Sequence, residues 1–381
     1  MWEALPAACA ACKEWKKQMK KITKIVVTGG PCAGKSTAMS WIQNAFTQKG
    51  YTVLFVPETA TEFISGGVCP WTCGTNEDYQ KCQMELQLTK ERLFHRAAST
   101  MPGENILIVC DRGAMDNKAY MNDEEFAHVL GFLGLDEVRL RDGYDAVFHL
   151  VTAAKGAEQF YTTANNQARY ETVEEAVAID DKLLASWTGH PHLRIIDNTT
   201  DFSQKMRRLI SEISIFLGAP MPCREERRFL IEYPDVEALE KLPNCRRIEI
   251  SQTYLKSTGG DEIRVRQRGM GGSYIYYQTI KRKVSDTERV EIERRLTQDE
   301  YLELLMEADP TRHPIRKTRY CLTWGIQSFV IDLYPFWQDR ALAEVDISAE
   351  DELQIPGFIK VIKEVTGDDD YSNYVLANRG W

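Results

Sequence analysis

Residues 29–36 read GGPCAGKS and fit the phosphate-loop pattern G-x-x-x-x-G-K-[ST]. A β-branched run at residues 24–28 precedes this stretch, and a helical pattern begins at Lys35. Strand, loop and helix therefore follow one another in the order that the motif requires, the alternative being a chance glycine-rich turn. The stretch predicts a site for the phosphates of a nucleoside triphosphate.

The residue types of this loop suggest how it would hold its ligand. Glycines let backbone N–H groups close around phosphates at a helix N-terminus, Lys35 adds a cation for the β and γ oxygens, and the Ser36 hydroxyl is a magnesium ligand. We expect ATP or GTP here, with Mg²⁺ or Mn²⁺. The residues expected to contact the nucleotide in this segment are Gly29, Gly30, Pro31, Cys32, Ala33, Gly34, Lys35, Ser36 and Thr37.

Apolar runs alternate with helical patterns through the first half of the chain. The candidate strands are residues 24–28, 52–56, 106–110, 146–151 and 193–196. This alternation predicts a doubly wound parallel α/β sheet. A last helix, capped by Asp201, is expected to end before Gly218, because the prolines that follow cannot continue it. We therefore predict an N-terminal extension at 1–21, a first domain at 22–218 and a linker at 219–223.

Two acidic residues follow candidate strands of this domain. Asp111 closes an apolar run, where a carboxylate would orient magnesium beside the triphosphate, although a helix cap is the alternative. Glu58 follows the preceding strand and is either the general base for an acceptor hydroxyl or a polar loop residue. With Lys35, these two residues are the candidates for catalysis that the residue pattern itself supplies.

Two short motifs give this part a family resemblance. Val56-Pro57-Glu58 and Cys110-Asp111-Arg112-Gly113 resemble the nucleoside and nucleotide kinase branch of phosphate-loop proteins. The resemblance implies nucleotide contacts by Arg112 and, in the base-contacting loop, by Asn198. It also implies an arginine-bearing lid, for which residues 165–171 are the candidate, with Arg169 as a phosphate clamp or else a solvated side chain. Since no guanine-reading Asn-Lys-x-Asp is present, the base stays open between adenine and guanine.

The second half of the chain shows the period-two pattern of antiparallel strands. This period puts several cations on one strand face and several carboxylates on others. Such groups are usually solvated, but here they could also face one interior, where unpaired charge is costly. A polyphosphate with bridging magnesium would satisfy both signs. The charged residues of this pattern are Arg264, Arg266, Arg268, Lys281, Lys317, Arg319, Glu291, Glu293, Glu344 and Asp346.

Residues 224–378 resemble the CYTH, or triphosphate-tunnel, family. The motifs include Arg264-Val-Arg266-Gln-Arg268, Glu291-Ile-Glu293 and Leu342-Ala-Glu344-Val-Asp346. The resemblance implies a closed eight-stranded antiparallel barrel over residues 224–379. Its phosphate-binding residues would be Arg228, Arg264, Arg266, Arg268, Lys281, Lys317 and Arg319. Its metal ligands would be Glu226, Glu291, Glu293, Glu344 and Asp346.

The start of this second part departs from the family pattern Glu-x-Glu-x-Lys. Here the sequence is Arg224-Glu225-Glu226-Arg227-Arg228, so arginine replaces the first glutamate and the lysine. Losing a carboxylate weakens magnesium binding, whereas arginine holds phosphate through a rigid fork of donors. The departure favours binding of a polyanion over its hydrolysis.

Composition limits the possible partners. The net charge of −9 argues against general nucleic-acid binding, and no apolar run approaches the roughly 18 residues that a membrane span needs. The ten cysteines are expected to be unpaired thiols rather than a disulfide framework or a zinc site, which favours a cytoplasmic protein.

The order of the two parts resembles the TRPL translocation-defect protein family of animals and its microbial relatives. That family implies guanine-nucleotide binding and acidic-lipid binding in membrane-protein traffic. The sequence therefore leaves three functions open. The first is a magnesium-dependent small-molecule kinase or nucleotide hydrolase with a polyphosphate-binding CYTH domain. The second is a nucleotide-switched adaptor whose CYTH pocket binds phosphoinositide or another phosphorylated ligand, and the third is an active CYTH triphosphatase or a cyclase.

Overall fold

A computed structural model gives the structure of the chain over residues 20–160, 172–222, 227–257, 260–285, 288–346 and 353–378. Its N-terminal part is built on a five-stranded parallel sheet with the strand order β2-β3-β1-β4-β5. The strands are β1 (Lys21–Thr28), β2 (Thr52–Val56), β3 (Asn105–Asp111), β4 (Ala146–Leu150) and β5 (Leu193–Ile196). The predicted parallel α/β architecture is confirmed.

Helices cover both faces of this sheet. Alternate residues of β1 enter opposite layers, with Val26 in one buried apolar cluster and Ile25 and Val27 in the other. The helices are α1 (Lys35–Gln48), α2 (Thr59–Ser65), α3 (Asn76–Thr100), α4 (Asp123–Leu133), α5 (Glu137–Arg141), α6 (Val173–Trp187) and α7 (Phe202–Phe216). The 3₁₀ helices are Ala114–Tyr120 and Glu158–Phe160. Asp201 caps α7, as its sequence predicts, by accepting a hydrogen bond from the Gln204 amide.

The C-terminal part is a ten-stranded sheet whose described pairs are antiparallel. Its strand order is β15-β7-β14-β13-β12-β8-β9-β10-β11-β6. The strands are β6 (Met221–Pro222), β7 (Arg227–Glu232), β8 (Cys245–Tyr254), β9 (Glu262–Met270), β10 (Ser273–Lys283), β11 (Glu288–Leu296), β12 (Ile315–Trp324), β13 (Gln327–Leu333), β14 (Arg340–Asp346) and β15 (Val361–Glu364).

The eight longer strands β7 to β14 match the expected number, but within the described ranges they do not close into a barrel. Closure would require β7 to pair with β11. The outer edge of β7 pairs instead with β15, and that of β11 with β6, so both edges are occupied. The expected closed ladder is thus replaced by an open one that nevertheless curves, because side chains from β7 and β11 line one cavity.

Side-chain alternation separates a polar interior from an apolar exterior in this sheet. On β13, Phe329 and Ile331 belong to a buried apolar cluster, whereas Ser328 and Val330 line the cavity. The helices of this part are α8 (Val236–Glu240), α9 (Gln298–Leu305) and α10 (Asn373–Leu376), with a 3₁₀ helix at Asp369–Tyr371. In neither part do the described helices include one with the length and apolarity that crossing a membrane requires.

Candidate functional site

The phosphate loop joins β1 to α1 and depends on glycine at two positions. Gly34, the residue before α1, has φ 94°, and a Cβ there would lie 2.7 Å from the Phe202 ring. At Gly29, with φ 140°, a Cβ would lie 2.0 Å from the Leu150 carbonyl oxygen. Side chains are therefore excluded from both ends of the loop, which lets phosphate approach the loop backbone closely.

Lys35 folds back over this loop. Its Nζ donates to the Gly29 carbonyl at 2.8 Å and to the Gly30 carbonyl at 3.1 Å. Burial, with help from nearby Arg112, lowers the pKa of Lys35 to about 8, although Glu58 and Asp111 oppose this shift. Ser36 and Thr37 are exposed in the first turn of α1. The lysine and both hydroxyl groups thus lie at the helix N-terminus, where the motif requires them.

Asp180, on α6, supports the loop from below and was not identified from the sequence. Its Oδ1 accepts a hydrogen bond from the Gly30 amide at 2.9 Å and lies 3.1 Å from Nε2 of His149. Lys155 donates to its Oδ2 at 2.9 Å. The side chain is fully buried, and although burial opposes ionisation, His149 and Lys155 hold the pKa of Asp180 well below its usual range. A carboxylate distant in sequence therefore positions the loop.

Asp111 lies at the carboxyl end of β3, where the sequence predicts a magnesium ligand. Its Oδ1 is buried and has no hydrogen-bond partner among the residues that the structure describes. Burial raises the pKa of Asp111, as does Glu58, whereas Lys35 lowers it. A buried, unpartnered carboxylate oxygen is costly unless a cation or donor joins it, so Asp111 fits a hard divalent cation together with the Ser36 hydroxyl.

Glu58 and Arg112 form an ion pair beside the loop. Arg112 Nε donates to Glu58 Oε1, and Thr61 donates to Glu58 Oε2 at 2.7 Å. Burial opposes ionisation of Glu58, but Arg112 and the Thr61 hydrogen bond together lower its pKa. Such a carboxylate is a weaker proton acceptor than the predicted general base. Arg112 has φ 68° and its amide donates to the Val27 carbonyl at 3.1 Å, which holds its side chain near β1.

Asp116 is a second buried carboxylate that the sequence did not predict as part of the site. Its Oδ2 accepts a hydrogen bond from Thr28 at 2.7 Å, and its Oδ1 accepts one from the Trp187 indole at 2.6 Å. Arg112 NH1 lies 3.8 Å from Oδ2. Asp116 thus links the end of β1 to the end of α6.

Asn198 was predicted to contact the base, but its amide is engaged elsewhere. Nδ2 donates to the carbonyls of Thr152 and Lys155, each at 2.7 Å, and Oδ1 accepts from Lys205 Nζ at 2.7 Å. The same Lys205 ammonium donates to the Ala33 carbonyl in the phosphate loop at 3.2 Å. These contacts link Asn198 to the segment after β4 and, through Lys205 of α7, to the phosphate loop. The predicted lid, including Arg169, lies outside the described residues.

A second site lies inside the curved antiparallel sheet. It is a cavity of about 450 Å³ lined by residues of both parts of the chain. Cationic side chains outnumber the carboxylates around it, so the cavity favours an anion. The cationic lining residues are Arg194, Arg208, Arg228, Arg264, Arg266, Arg268, Lys281, Lys317 and Arg319. The acidic lining residues are Asp197, Glu212, Glu291, Glu293 and Glu344.

Lys317 and Arg319, two of the predicted phosphate-binding residues, share the carboxylate of Asp332. Asp332 was not among the predicted site residues. Asp332 accepts from Lys317 Nζ at 2.5 Å and from Arg319 at 2.7 Å through both oxygens. Burial lowers the pKa of Lys317 to about 8, as does Arg319, whereas Asp332 opposes this shift. This buried triad fixes both cations at the cavity wall.

Arg268 serves a different purpose from its neighbours on β9. It is buried, and its guanidinium donates to Asp142 at 3.0 Å and to the Gly189 carbonyl at 2.6 Å. Both partners belong to the N-terminal part, so Arg268 joins the two parts of the chain. By contrast, Arg264 and Arg266 each have a buried Nε that finds no partner within the described ranges.

The predicted metal-binding carboxylates of the cavity are paired with basic side chains. Glu293 accepts from Arg266 at 2.8 Å and lies 2.7 Å from His192 Nε2, while Arg228 donates to Glu344 at 2.8 Å. Glu291 lies 3.6 Å from Lys281. No group of three histidine, cysteine or acidic residues in the described parts of the chain could hold a metal ion. Glu226 and the side chain of Asp346 lie outside what the structure describes.

The sequence of the N-terminal part matches the model of the family described as AAA domain over residues 24–205. Those residues form an AAA domain. The matched span contains the phosphate loop, Asp111 and Asp180, so the geometry around Lys35 is that of an AAA-type nucleotide-binding domain. No curated protein matches the chain.

Two solved structures are also similar to part of the chain. One is the hypothetical protein NE1496, at 27% identity over 42% of this chain and 98% of that chain, with a TM-score of 0.30. The other is the inorganic triphosphatase NE1496, at 28% identity over 41% of this chain and 97% of that chain, with a TM-score of 0.29. Similarity at these TM-scores does not assign an activity to the antiparallel sheet, whereas the AAA domain rests on its own sequence match.

Proposed function

We propose that the AAA domain binds a nucleoside triphosphate, ATP or GTP, with Mg²⁺ and catalyses transfer or hydrolysis of the γ-phosphate. The observation that carries this proposal is the buried Asp111 oxygen, which has no partner among the described residues and lies near the Lys35 ammonium. A triphosphate with a divalent cation would supply the charge of opposite sign that each group lacks.

Different groups at the loop are proposed to bind the phosphates and the cation of the nucleotide. Backbone N–H groups of the loop other than that of Gly30, which donates to Asp180, bind the phosphate oxygens, and Lys35 exchanges its two carbonyl partners for them. Ser36 and Asp111 would hold the cation, which would supply positive charge against the charge that develops on the phosphates. Arg112, kept in place by Glu58, adds a second positive charge at the edge of the site.

We propose that the antiparallel part binds a polyphosphate or a phosphorylated small molecule in its cavity. The excess of cationic lining residues supports an anionic ligand. Because Glu293 and Glu344 are occupied by arginines, this cavity is better suited to binding than to metal-dependent hydrolysis.

The substitution Lys35→Ala tests the first proposal. We expect the kcat/KM for nucleotide hydrolysis or transfer to fall about 10- to 100-fold, because a charged hydrogen bond contributes roughly 1.5–3 kcal/mol. Lys49→Ala, an exposed change just after α1, is the matched control and should leave turnover unchanged. Full turnover in Lys35→Ala would overturn the assignment of this site.

A second function is favoured by the Glu58 ion pair. Since Arg112 and Thr61 lower the pKa of Glu58, proton abstraction there is unfavourable and turnover would be slow. The chain would then act as a cytoplasmic nucleotide switch whose cavity binds a phosphoinositide or another acidic lipid headgroup at the membrane surface. Tight nucleotide binding with negligible phosphate release supports this switch, whereas rapid transfer to a small hydroxyl compound supports the kinase.

A third function is a triphosphatase in the antiparallel cavity. It would be supported if the Lys35→Ala variant hydrolyses tripolyphosphate and the double variant Lys35→Ala/Glu291→Ala does not. Glu291 is chosen because, among the described candidates for metal ligands in the cavity, it is the least tightly paired with basic side chains.

A further inference from the structure

Helix α7 of the N-terminal part lies against both candidate sites. Its first residue, Phe202, packs against Gly34 of the phosphate loop, and Lys205 donates to the Ala33 carbonyl. Arg208 follows Lys205 by about one turn and lines the cavity of the antiparallel sheet. Anchored at its N-terminal end by the phosphate loop, α7 therefore presents a cationic side chain to a cavity formed largely by the other part of the chain.

Arg208 shares a feature with two arginines of the antiparallel sheet that line the same cavity. Its NH2 group donates to the Asp197 carbonyl and to Asp197 Oδ1, each at 2.8 Å, whereas its buried Nε has no partner in the described part of the chain. Arg264 and Arg266 on β9 have the same unsatisfied Nε. A buried donor without a partner is costly, so these three guanidinium groups, which line one cavity, keep hydrogen-bonding capacity that the described protein groups do not use.

A second cation from the N-terminal part, Arg194, also lines this cavity. It lies on β5, the edge strand of the parallel sheet, and its Nε is 3.6 Å from Glu212 on α7. The separation from Glu212 is longer than a hydrogen bond, and the side chain is about one-third exposed. Its charge is therefore only partly neutralised by the protein.

Contacts between the two parts fix these cations in place. His192, just before β5, lies 2.7 Å from Glu293 on β11, and the buried Arg268 bonds to Asp142 and to the Gly189 carbonyl. These three contacts join the N-terminal part to the cavity wall without a ligand. The wall built by β5 and α7 is consequently preformed, which reduces the cost of ordering it on binding.

We propose that the anion cavity is a composite site in which Arg194 and Arg208 of the N-terminal part bind the phosphate chain together with Arg264 and Arg266. The inference rests on the proposed binding of a polyphosphate in this cavity. It adds that the antiparallel sheet does not supply the whole site. The ligand class is a polyphosphate, because guanidinium groups from both parts of the chain line one cavity.

Calorimetric titration of the full chain with tripolyphosphate tests this composite site. A Lys35→Ala background weakens binding at the phosphate loop, so that the measured affinity reports mainly on the cavity. In this background we expect Arg208→Ala and Arg194→Ala each to weaken binding about tenfold. Arg207→Ala is the matched control, since Arg207 is the exposed neighbour on α7 and does not line the cavity, and it should leave the affinity unchanged.

Arg266→Ala separates failure of the inference from failure of the proposed cavity function. If Arg266→Ala weakens binding while Arg208→Ala and Arg194→Ala match the control, the composite site is wrong but the cavity still binds tripolyphosphate. If Arg266→Ala also leaves the affinity unchanged, the proposed cavity function itself fails. Arg208→Lys guards against loss of folding, because it keeps the charge, and it should bind more tightly than Arg208→Ala.

Discussion

The two candidate sites of this chain hold negative charge by different means. The phosphate loop offers backbone N–H groups at the start of α1, with one lysine folded over them. The cavity of the antiparallel sheet offers guanidinium and ammonium groups from several strands, most of them paired with carboxylates. The loop is thus built from consecutive residues, whereas the cavity is built from residues that meet only when the sheet curves.

This difference indicates where each site is vulnerable. A loop that binds through its backbone is sensitive to whatever fixes the backbone, here Asp180 and the close packing at Gly29. A cavity that contains many buried charges is sensitive to the loss of any partner, because the remaining charge is left without compensation. Both sites therefore depend on buried carboxylates, which support the backbone in one and neutralise cations in the other.

The largest effect is expected from Asp332→Ala in the cavity. This change leaves Lys317 and Arg319 without their shared buried partner, and we expect the free energy of unfolding to fall by about 3–5 kcal/mol. Urea denaturation of the full chain measures this loss. Asp339→Ala, which removes an exposed carboxylate paired with Arg340, should leave the stability unchanged.

The same urea denaturation in the presence of tripolyphosphate tests whether Lys317 and Arg319 face the bound anion. If the cavity binds a polyanion, the ligand should stabilise Asp332→Ala more than the unchanged chain, because it replaces the missing negative charge. Equal stabilisation of both proteins would show that the two cations do not face the bound anion.

A change in pH is expected to have an intermediate effect on the free energy of unfolding, through His190 near the boundary between the two parts. Burial lowers the pKa of His190 to about 3 against the opposing influence of Asp142, while an unfolded histidine has a pKa of about 6.5. Between these values the unfolded chain binds the extra proton, so stability falls as the pH falls. From pH 7.5 to pH 5 this one group should cost about 2 kcal/mol.

His190→Gln should remove most of this pH-dependent loss. The neutral His190 accepts from the His192 amide at 3.0 Å through Nδ1, an interaction that a protonated ring cannot make. Urea unfolding at both pH values, with exposed His128→Gln as control, gives the difference. The same pH dependence in wild type and His190→Gln would contradict the assignment.

The smallest effect is expected in the phosphate loop from Asp180→Asn. The amide is a poorer acceptor for the Gly30 N–H and loses the charge that holds Lys155, so nucleotide should bind about five- to tenfold more weakly. Asp181→Asn is a close control, because Asp181 neighbours it on α6, is mostly exposed and also contacts Lys155. Fluorescent-nucleotide titration compares them, and equal affinities would show that Asp180 does not support the loop.

The parts of the fold that could be predicted from the sequence depend on local patterns. Alternating apolar runs and helices predicted the parallel sheet, and period-two alternation predicted antiparallel strands in the second part. The closed barrel was not predicted correctly for the described strands, since pairing of β7 with β15 and of β11 with β6 depends on edges that no local pattern encodes. Arg268 was assigned to phosphate from its strand face and from the CYTH resemblance, although its partners Asp142 and Gly189 lie in the other part of the chain.

The sequence by itself determined the phosphate loop, because its glycines, lysine and serine are consecutive and their spacing fixes the backbone that binds phosphate. It also determined which residues of β9 carry positive charge. Only the tertiary structure placed Asp180 under Gly30, left Asp111 without a partner among the described residues, and brought Arg208 to the cavity of the antiparallel sheet. These contacts join residues far apart in the chain, so they follow from packing rather than from local spacing.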